Sequence, residues 1–290
     1  ERLRPIYRVA NGTASDASSP SSNTGDANAD AGQPGGGAAN VNRGDIKKKF
    51  VNLDMEEYRD LDLTIELFTR LLSEPEFHDL EAGIVLQAYL PDAVPALERL
   101  IAFAKERKAN GGAGIKVRLV KGANLAMERV EAELHDWKQA PYTSKEDVDA
   151  NYLRFIERAT RADAMEVCRL GVASHNLYDV AMAHLLAEKR GVSEHLDVEM
   201  LQGMAPSQAR AVKADVGTVL LYTPVVKRED FDVAVSYLIR RLEENAAEQN
   251  FLHAMFSHDE GAAERHKYVR DGLVGTGALS AMQDQERRFR

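Results

Sequence analysis

The densest group of chemically versatile side chains is the segment RLVKGAN, which runs from Arg118 to Asn124. A β-rich run ends there, and Gly122 permits a tight turn and close approach of a ligand. Arg118 and Lys121 place two cations at this exit, which suits a phosphate, a carboxylate or a reduced flavin. The alternative interpretation is an ordinary strand-to-helix turn that happens to carry an arginine and a lysine.

A second group lies on the last predicted helix, residues 229–251. Tyr237, Arg240, Arg241 and Glu244 follow the spacing i, i+3, i+4, i+7 and therefore share one helix face. Two adjacent guanidinium groups match the geometry of a carboxylate, so the pattern predicts a carboxylate clamp. A solvated basic turn paired with Glu244 is the alternative.

A third group is the tripeptide Ser174–His175–Asn176 at the end of another β-rich run. The sequence has no HxH, HxxxH or Cys/His ligand spacing, so we expect His175 to contact a cofactor rather than a metal. Asp54 is a candidate general base, charge partner or helix N-cap, and without further context the cap is favoured.

The elements that must position these groups alternate regularly along the chain. The β-rich runs cover residues 49–54, 83–89, 115–120, 171–176, 195–201 and 216–224, and helical patterns fill the intervals. Strict alternation implies parallel strands. No GxGxxG follows the first strand, which disfavours a dinucleotide-binding open sheet. Polar side chains at nearly every strand exit favour a (β/α)8 barrel, present as an incomplete C-terminal portion of about six strand–helix units plus the closing helix.

Composition limits the other possibilities. The 290 residues carry a net charge of −9, which does not suggest nucleic-acid binding. Residues 11–44 are predicted to form a disordered low-complexity loop, because residues 11–40 contain no aromatic residue and no Leu, Ile or Val. The single cysteine, Cys168, lies in a helical pattern and is predicted to be a buried thiol, and Trp137 is predicted to be a core residue. No apolar run is long enough to span a bilayer.

Eight segments in order resemble the flavin-dependent proline dehydrogenase family, most closely the dehydrogenase domain of bifunctional bacterial proline utilization A. They are FVNLDMEEYRDLDLTIELF, GIVLQAYLPD, KVRLVKGANLAMERVEAELHDW, APYTSKEDVDANY, ASHN, EMLQGM, YTPV and SYLIRRLEEN. The resemblance implies a barrel that holds FAD noncovalently and oxidises L-proline to Δ1-pyrroline-5-carboxylate, with hydride passing to the flavin.

The resemblance also implies roles for individual residues. Asp54 and Arg118 would be catalytic, with Arg118 near the flavin. Substrate would contact Leu201, Tyr222, Tyr237, Arg240 and Arg241. The cofactor would contact Gln87, Arg118, Val120, Lys121, Gly122, Ala123, Ser174, His175 and Asn176.

The resemblance further implies a division of the chain: residues 1–10 end a preceding barrel helix, 45–256 form the dehydrogenase portion, and 257–290 lead toward an aldehyde dehydrogenase domain. The family's lysine on an earlier strand has no match, so this segment alone is expected to be inactive. The implied partners are proline and a quinone or other electron acceptor, in the cytoplasm with peripheral contact at the inner face of the membrane; homo-oligomerisation stays open. A Schiff-base aldolase using Lys121 and a non-catalytic scaffold are the rival functions.

Overall fold

The computed structural model of the protein describes residues 1–12 and 49–246, with side chains in the last helix described as far as Ile239. Most of the predicted loop at 11–44 and all of the predicted linker at 257–290 lie outside these residues. The strands are β1 (Val51–Leu53), β2 (Ala82–Gln87), β3 (Ile115–Val120), β4 (Cys168–Ala173), β5 (Leu196–Leu201) and β6 (Val219–Tyr222).

Nine α-helices lie within the described residues, and most of them connect successive strands. They are α1 (Arg4–Asn11), α2 (Leu61–Leu72), α3 (Ala93–Ala109), α4 (Leu125–His135), α5 (Lys145–Ala159), α6 (Ala162–Met165), α7 (Leu177–Arg190), α8 (Pro206–Val216) and α9 (Phe231–Ala246).

The six strands form one parallel sheet in the order β1-β2-β3-β4-β5-β6. A doubly wound sheet reverses its strand order at a switch point, whereas a (β/α)8 barrel adds each strand beside the previous one. The described strands show no reversal. The prediction of an incomplete barrel is therefore confirmed.

Side chains alternate along each strand between a helix-facing side and a cavity-facing side. On β3, Ile115, Val117 and Leu119 are fully buried in the main hydrophobic core. Lys116 and Arg118 point to the other side, where they meet acidic residues of β5. The aliphatic residues that hold the helices to the sheet and the polar residues that could do chemistry thus share the same strands.

Local signals set the helix boundaries near the site. The Ser144 hydroxyl accepts a hydrogen bond from the Asp147 amide at 3.1 Å, and this N-cap begins α5. Asn176 caps α7 in the same way, accepting from the Tyr178 amide at 3.0 Å. Gly191 ends α7 with a left-handed φ of 68°.

Two predictions about local structure are wrong. Cys168 begins β4 rather than lying in a helix, since α5 and α6 have ended by Met165; the thiol is nevertheless buried, and burial raises its pKa to about 12. Trp137 is 54% exposed and stacks on His135, because it follows the end of α4 and leaves the core.

Candidate active site

A cavity of about 570 Å³ opens at the carboxyl ends of the strands. The predicted site residues whose structure is described all line it: Asp54, Gln87, Arg118, Val120, Lys121, Gly122, Ala123, Ser174, His175, Asn176, Leu201, Tyr222 and Tyr237. Arg240 and Arg241 belong to α9, and their side chains lie outside the described residues. Residues as far apart in the sequence as Asp54 and Tyr237 therefore meet in one cavity.

Beside the cavity lies an ion cluster that the sequence analysis did not predict, and its members Arg118 and Glu199 line the cavity. Glu199 on β5 is completely buried, and its Oε2 accepts a hydrogen bond from Arg118 Nε at 2.7 Å. Lys116 Nζ lies 2.6 Å from Glu199 Oε1 and 2.8 Å from Asp197 Oδ2. The contact with Oε1 is a close ion pair rather than an aligned hydrogen bond. Arg169 also pairs with Asp197, at 2.9 Å, so three cations and two carboxylates compensate one another along β3, β4 and β5.

This cluster had a sequence signal, which was the matched alternation of charges on two strands. β3 carries Lys116 and Arg118 at alternate positions, and β5 carries Asp197 and Glu199 in the same way. Charges that alternate with aliphatic residues lie on one face of a strand. The predicted site residues lie at or near the strand exits, whereas Lys116, Asp197 and Glu199 lie inside the strands, where no site was predicted.

The guanidinium group of Arg118 lies over the ring of Tyr222, with 4.1 Å between Cζ and the ring centroid. Burial, together with the charge of Glu199, raises the pKa of Tyr222 to about 12, so its hydroxyl stays protonated at neutral pH. A flat cation stacked on an aromatic face is held in orientation as well as in position. Arg118 is therefore a fixed cation at the cavity wall.

Lys121 is engaged by two carboxylates. Its Nζ lies 2.6 Å from Asp149 Oδ1 on α5 and 3.0 Å from Asp179 Oδ2 on α7. Burial alone would lower the pKa of Lys121, but the two carboxylates outweigh it and the pKa is raised. Lys121 is thus a protonated cation that ties two helices to the β3 exit.

Gly122 forms a bare stretch of backbone above the ring of Tyr89. Its φ is +121°, and a Cβ added there would stand 2.6 Å from Tyr89 Cγ. The Tyr89 amide also donates to the Lys121 carbonyl at 2.7 Å, which fixes the ring against the turn. Only glycine fits this position, because the Tyr89 ring occupies the space that a side chain would need.

Gln87 ends β2 and is held by its amide nitrogen. Its Nε2 donates to the carbonyl oxygens of Met55 at 2.6 Å and Glu56 at 3.0 Å. Its Oε1 is buried beside the cavity and has no hydrogen-bond partner among the described residues. Because buried acceptors are rarely left unpaired, this oxygen is a natural contact for a ligand donor.

His175 is held in one tautomer by the backbone of β5. The Leu201 amide donates to His175 Nε2 at 3.0 Å, so the neutral ring carries its proton on Nδ1. Nδ1 is buried and has no partner among the described residues. Ser174 and Asn176 are engaged locally: the Ser174 hydroxyl donates to Asp179 at 3.0 Å, and Asn176 caps α7.

Asp54 lies in the coil after β1, exposed at the cavity mouth. Its Oδ1 accepts from the adjacent Met55 amide at 3.0 Å. The helix N-cap interpretation is wrong, because the next two helical segments have Glu57 and Asp60 at their N-cap positions. Asp54 therefore remains a carboxylate that faces the cavity.

The described residues contain neither a candidate metal site nor a candidate membrane-spanning helix. No cluster of three or more His, Cys, Asp or Glu side chains there has a geometry that could hold a metal ion. None of the helices in that part of the chain is long and apolar enough to cross a membrane.

Comparison with known proteins identifies relatives of this chain. The proline dehydrogenase family model matches residues 41–254. The bifunctional protein PutA of Rhizobium meliloti is 30% identical over 233 residues, which are 76% of this chain and 18% of that protein. The proline dehydrogenase of Deinococcus radiodurans is 28% identical over 177 residues, 60% of this chain and 48% of that protein.

Solved structures give the same result. Proline utilization A from Corynebacterium freiburgense is 64% identical, with a TM-score of 0.66 over 70% of this chain and 21% of that one. The protein from Bdellovibrio bacteriovorus is 38% identical, with a TM-score of 0.67 over 75% of this chain and 22% of that one. The chain thus spans about a fifth of these bifunctional relatives. Since the family model covers well over half of its length, the chain belongs to the proline dehydrogenase family.

Proposed function

We propose that this chain carries the proline-oxidising centre of a flavin-dependent dehydrogenase, which converts L-proline to Δ1-pyrroline-5-carboxylate. One observation carries the proposal. Apart from Arg240 and Arg241, whose side chains are not described, the residues that the family resemblance assigns to cofactor and substrate line a single cavity, and they come from all six strand exits and α9. A scaffold without chemistry would have no need to collect these groups at the carboxyl ends of its strands.

The lining of this cavity fits an FAD. Gln87 Oε1 offers a buried acceptor and His175 Nδ1 a buried donor, each without a partner among the described residues. A flavin ring carries donors and acceptors on its polar edge, so it can satisfy both. Gly122 lines the cavity between Lys121 and Ala123, and the cations Lys121 and Arg118 suit an electron-rich cofactor.

A bound FAD would supply the oxidant: a ring carbon of proline would lose a hydride to it and the ring nitrogen would lose a proton, which leaves a C=N bond in the product. Arg118, fixed by Glu199 and Tyr222, supplies a preorganised positive charge beside the reacting centre. Arg240 and Arg241 would bind the substrate carboxylate from α9 and orient its ring. Leu201, Tyr222 and Tyr237 line the remaining wall and restrict water.

The contacts of Lys121 argue against a Schiff-base aldolase. Such a nucleophile needs a lowered pKa, whereas Asp149 and Asp179 raise the pKa of Lys121. We expect borohydride to trap no carbonyl substrate on Lys121. A trapped adduct would favour the aldolase.

The decisive experiment is anaerobic titration of the natural full-length protein with L-proline. The flavin absorbance should bleach, and Δ1-pyrroline-5-carboxylate should form in equal amount to the flavin reduced; D-proline is the matched control. A flavin that proline does not bleach, or a protein without flavin, would favour the non-catalytic scaffold and overturn the proposal.

We propose a quinone as the electron acceptor, reached by peripheral contact of the full-length protein with the cytoplasmic face of a membrane. The support is family membership. Reoxidation of the proline-reduced flavin should be much faster with a soluble quinone than with dioxygen. Equal rates would contradict a quinone acceptor.

A further inference from the structure

We propose that Glu199 is a positioning residue that fixes the Arg118 guanidinium and sets how much of its positive charge the cavity receives. This inference rests on the proposed function, because it assigns Arg118 to the flavin side of the cavity. Nothing in the family resemblance gave Glu199 a role. The inference comes from the contacts of its carboxylate.

Glu199 is buried, and its two carboxylate oxygens contact different cations. The side chain has no exposed surface, Oε2 binds Arg118 Nε at 2.7 Å, and Oε1 faces Lys116 Nζ at 2.6 Å. A carboxylate between two cations cannot rotate without leaving one of them unpaired in a buried place, which is costly. The carboxylate orientation, and with it the Arg118 Nε position, is therefore fixed.

A gap in β4 lets these charges meet. Glu199 and Lys116 belong to β5 and β3, and β4 lies between them. Gly171 occupies the intervening position on β4, where a Cβ would stand 2.2 Å from Glu199 Oε1 and 2.8 Å from Lys116 Cε. Gly171 thus opens a passage across β4, and any larger residue would displace the carboxylate.

The remaining donors of Arg118 are its two Nη groups, and they have little freedom to turn. With Nε bound to Glu199 and the guanidinium plane stacked on Tyr222, rotation about the last side-chain bonds is restricted. Arg118 lines the cavity, and its Nη groups make no hydrogen bond within the described part of the chain. Those groups are available to a ligand, and Glu199 offsets part of their charge.

The charge of Glu199 should therefore control the reduction potential of the bound flavin. Reduced flavin accumulates negative charge, which a cation stabilises. Replacing Glu199 by glutamine keeps an acceptor for Arg118 but removes the opposing charge. In Glu199→Gln we expect the equilibrium constant for two-electron reduction to rise about tenfold, equivalent to about 30 mV.

The position of Glu199 should control the rate. Glu199→Asp keeps the charge but withdraws the carboxylate by one methylene, so the 2.7 Å contact with Arg118 is lost. Because small misplacements of a catalytic group cost about 10- to 100-fold, anaerobic reduction by saturating proline should slow by that factor. Asp197→Asn is the matched control: Asp197 shares the strand and the Lys116 contact and also pairs with Arg169, but it does not line the cavity.

These measurements use the natural full-length protein with its flavin. A shift of potential in Glu199→Gln and a slower reduction in Glu199→Asp, with less than twofold change in Asp197→Asn, support the inference. If Glu199→Gln does not fold, Glu199→Asp decides. Wild-type behaviour of the Glu199 variants, or equal effects in Asp197→Asn, overturns the role of Glu199 while proline still bleaches the wild-type flavin. A wild-type protein that proline does not reduce overturns the proposed function as well.

Discussion

The ring of Tyr89 lies directly behind the backbone of Gly122, so that a Cβ at Gly122 would stand 2.6 Å from Tyr89 Cγ. Gly122→Ala should therefore both strain a φ of +121° and push the ring or the turn away. We expect a loss of about 1–3 kcal/mol in the free energy of unfolding, together with reduced flavin content. Urea unfolding and the flavin-to-protein absorbance ratio measure the two effects.

Gly191→Ala is the control for this prediction. Gly191 also has a positive φ, +68°, but a Cβ there would meet nothing within 4 Å. It should lose stability through strain alone and keep its flavin. Equal flavin content in the two variants would contradict a cofactor surface at Gly122.

Lys121→Met should leave Asp179, whose side chain is 6% exposed, without its cation. Breaking a buried ion pair from one side costs about 3–5 kcal/mol of folding stability. Lys145→Met removes the more exposed partner of Asp149 and should cost no more than about 1 kcal/mol. Denaturant unfolding of both variants, and of Lys121→Met in an Asp179→Asn background, provides the test: the cost should fall when Asp179 is already neutral.

The pH dependence of stability should contain a contribution from His175. Burial lowers the pKa of His175 below its ordinary value of 6.5, so the folded protein keeps the ring neutral while the unfolded chain is protonated. The contribution is fully present above pH 6.5 and is lost as the pH falls from 6.5 toward the lowered folded pKa. Urea unfolding from pH 7.5 to 5 should show a steeper loss in wild type than in His175→Gln. Parallel curves would contradict the assignment.

Arg240→Ala and Arg241→Ala should each weaken proline binding while leaving the flavin bound. Loss of one partner of a buried charge pair costs about 2–5 kcal/mol of binding free energy. Equilibrium titration with proline under anaerobic conditions, beside the flavin absorbance, separates the two effects. Arg210→Ala on the exposed face of α8 is the control. Unchanged proline affinity in both variants would remove the clamp from the mechanism.

Cys168 should be inert toward thiol reagents in the folded protein, because it is buried and its pKa is raised to about 12. Alkylation followed by mass spectrometry of its peptide should show modification only after denaturant is added. Rapid labelling of the native protein would mean that β4 opens at its first residue.

The sequence predicted the strand exits well because polar residues follow short aliphatic runs there. Gln87 and Ser174 were found in this way; strict alternation of strands and helices predicted parallel strands, and the polar strand exits together with the missing GxGxxG favoured the barrel. The boundary of β4 was missed, because the apolar residues around Cys168 also fit a helical period at the end of α5 and α6.

The contact between Arg118 and Glu199 could not be predicted from periodicity. The two residues are 81 positions apart on β3 and β5, and a side chain at Gly171, which pairs with Arg118 on the strand between them, would displace the Glu199 carboxylate. Register between parallel strands is set by tertiary packing, which a single sequence does not display.

The separation of aliphatic and polar residues onto opposite sides of each strand has an evolutionary consequence. Val117 and Leu119 stabilise the fold from the helix side, while Lys116 and Arg118 face the cavity. A substitution on the cavity face changes the chemistry without removing aliphatic packing from the core. Substitutions at every second residue of a strand would therefore alter one side of the sheet and leave the side that packs on the helices unchanged.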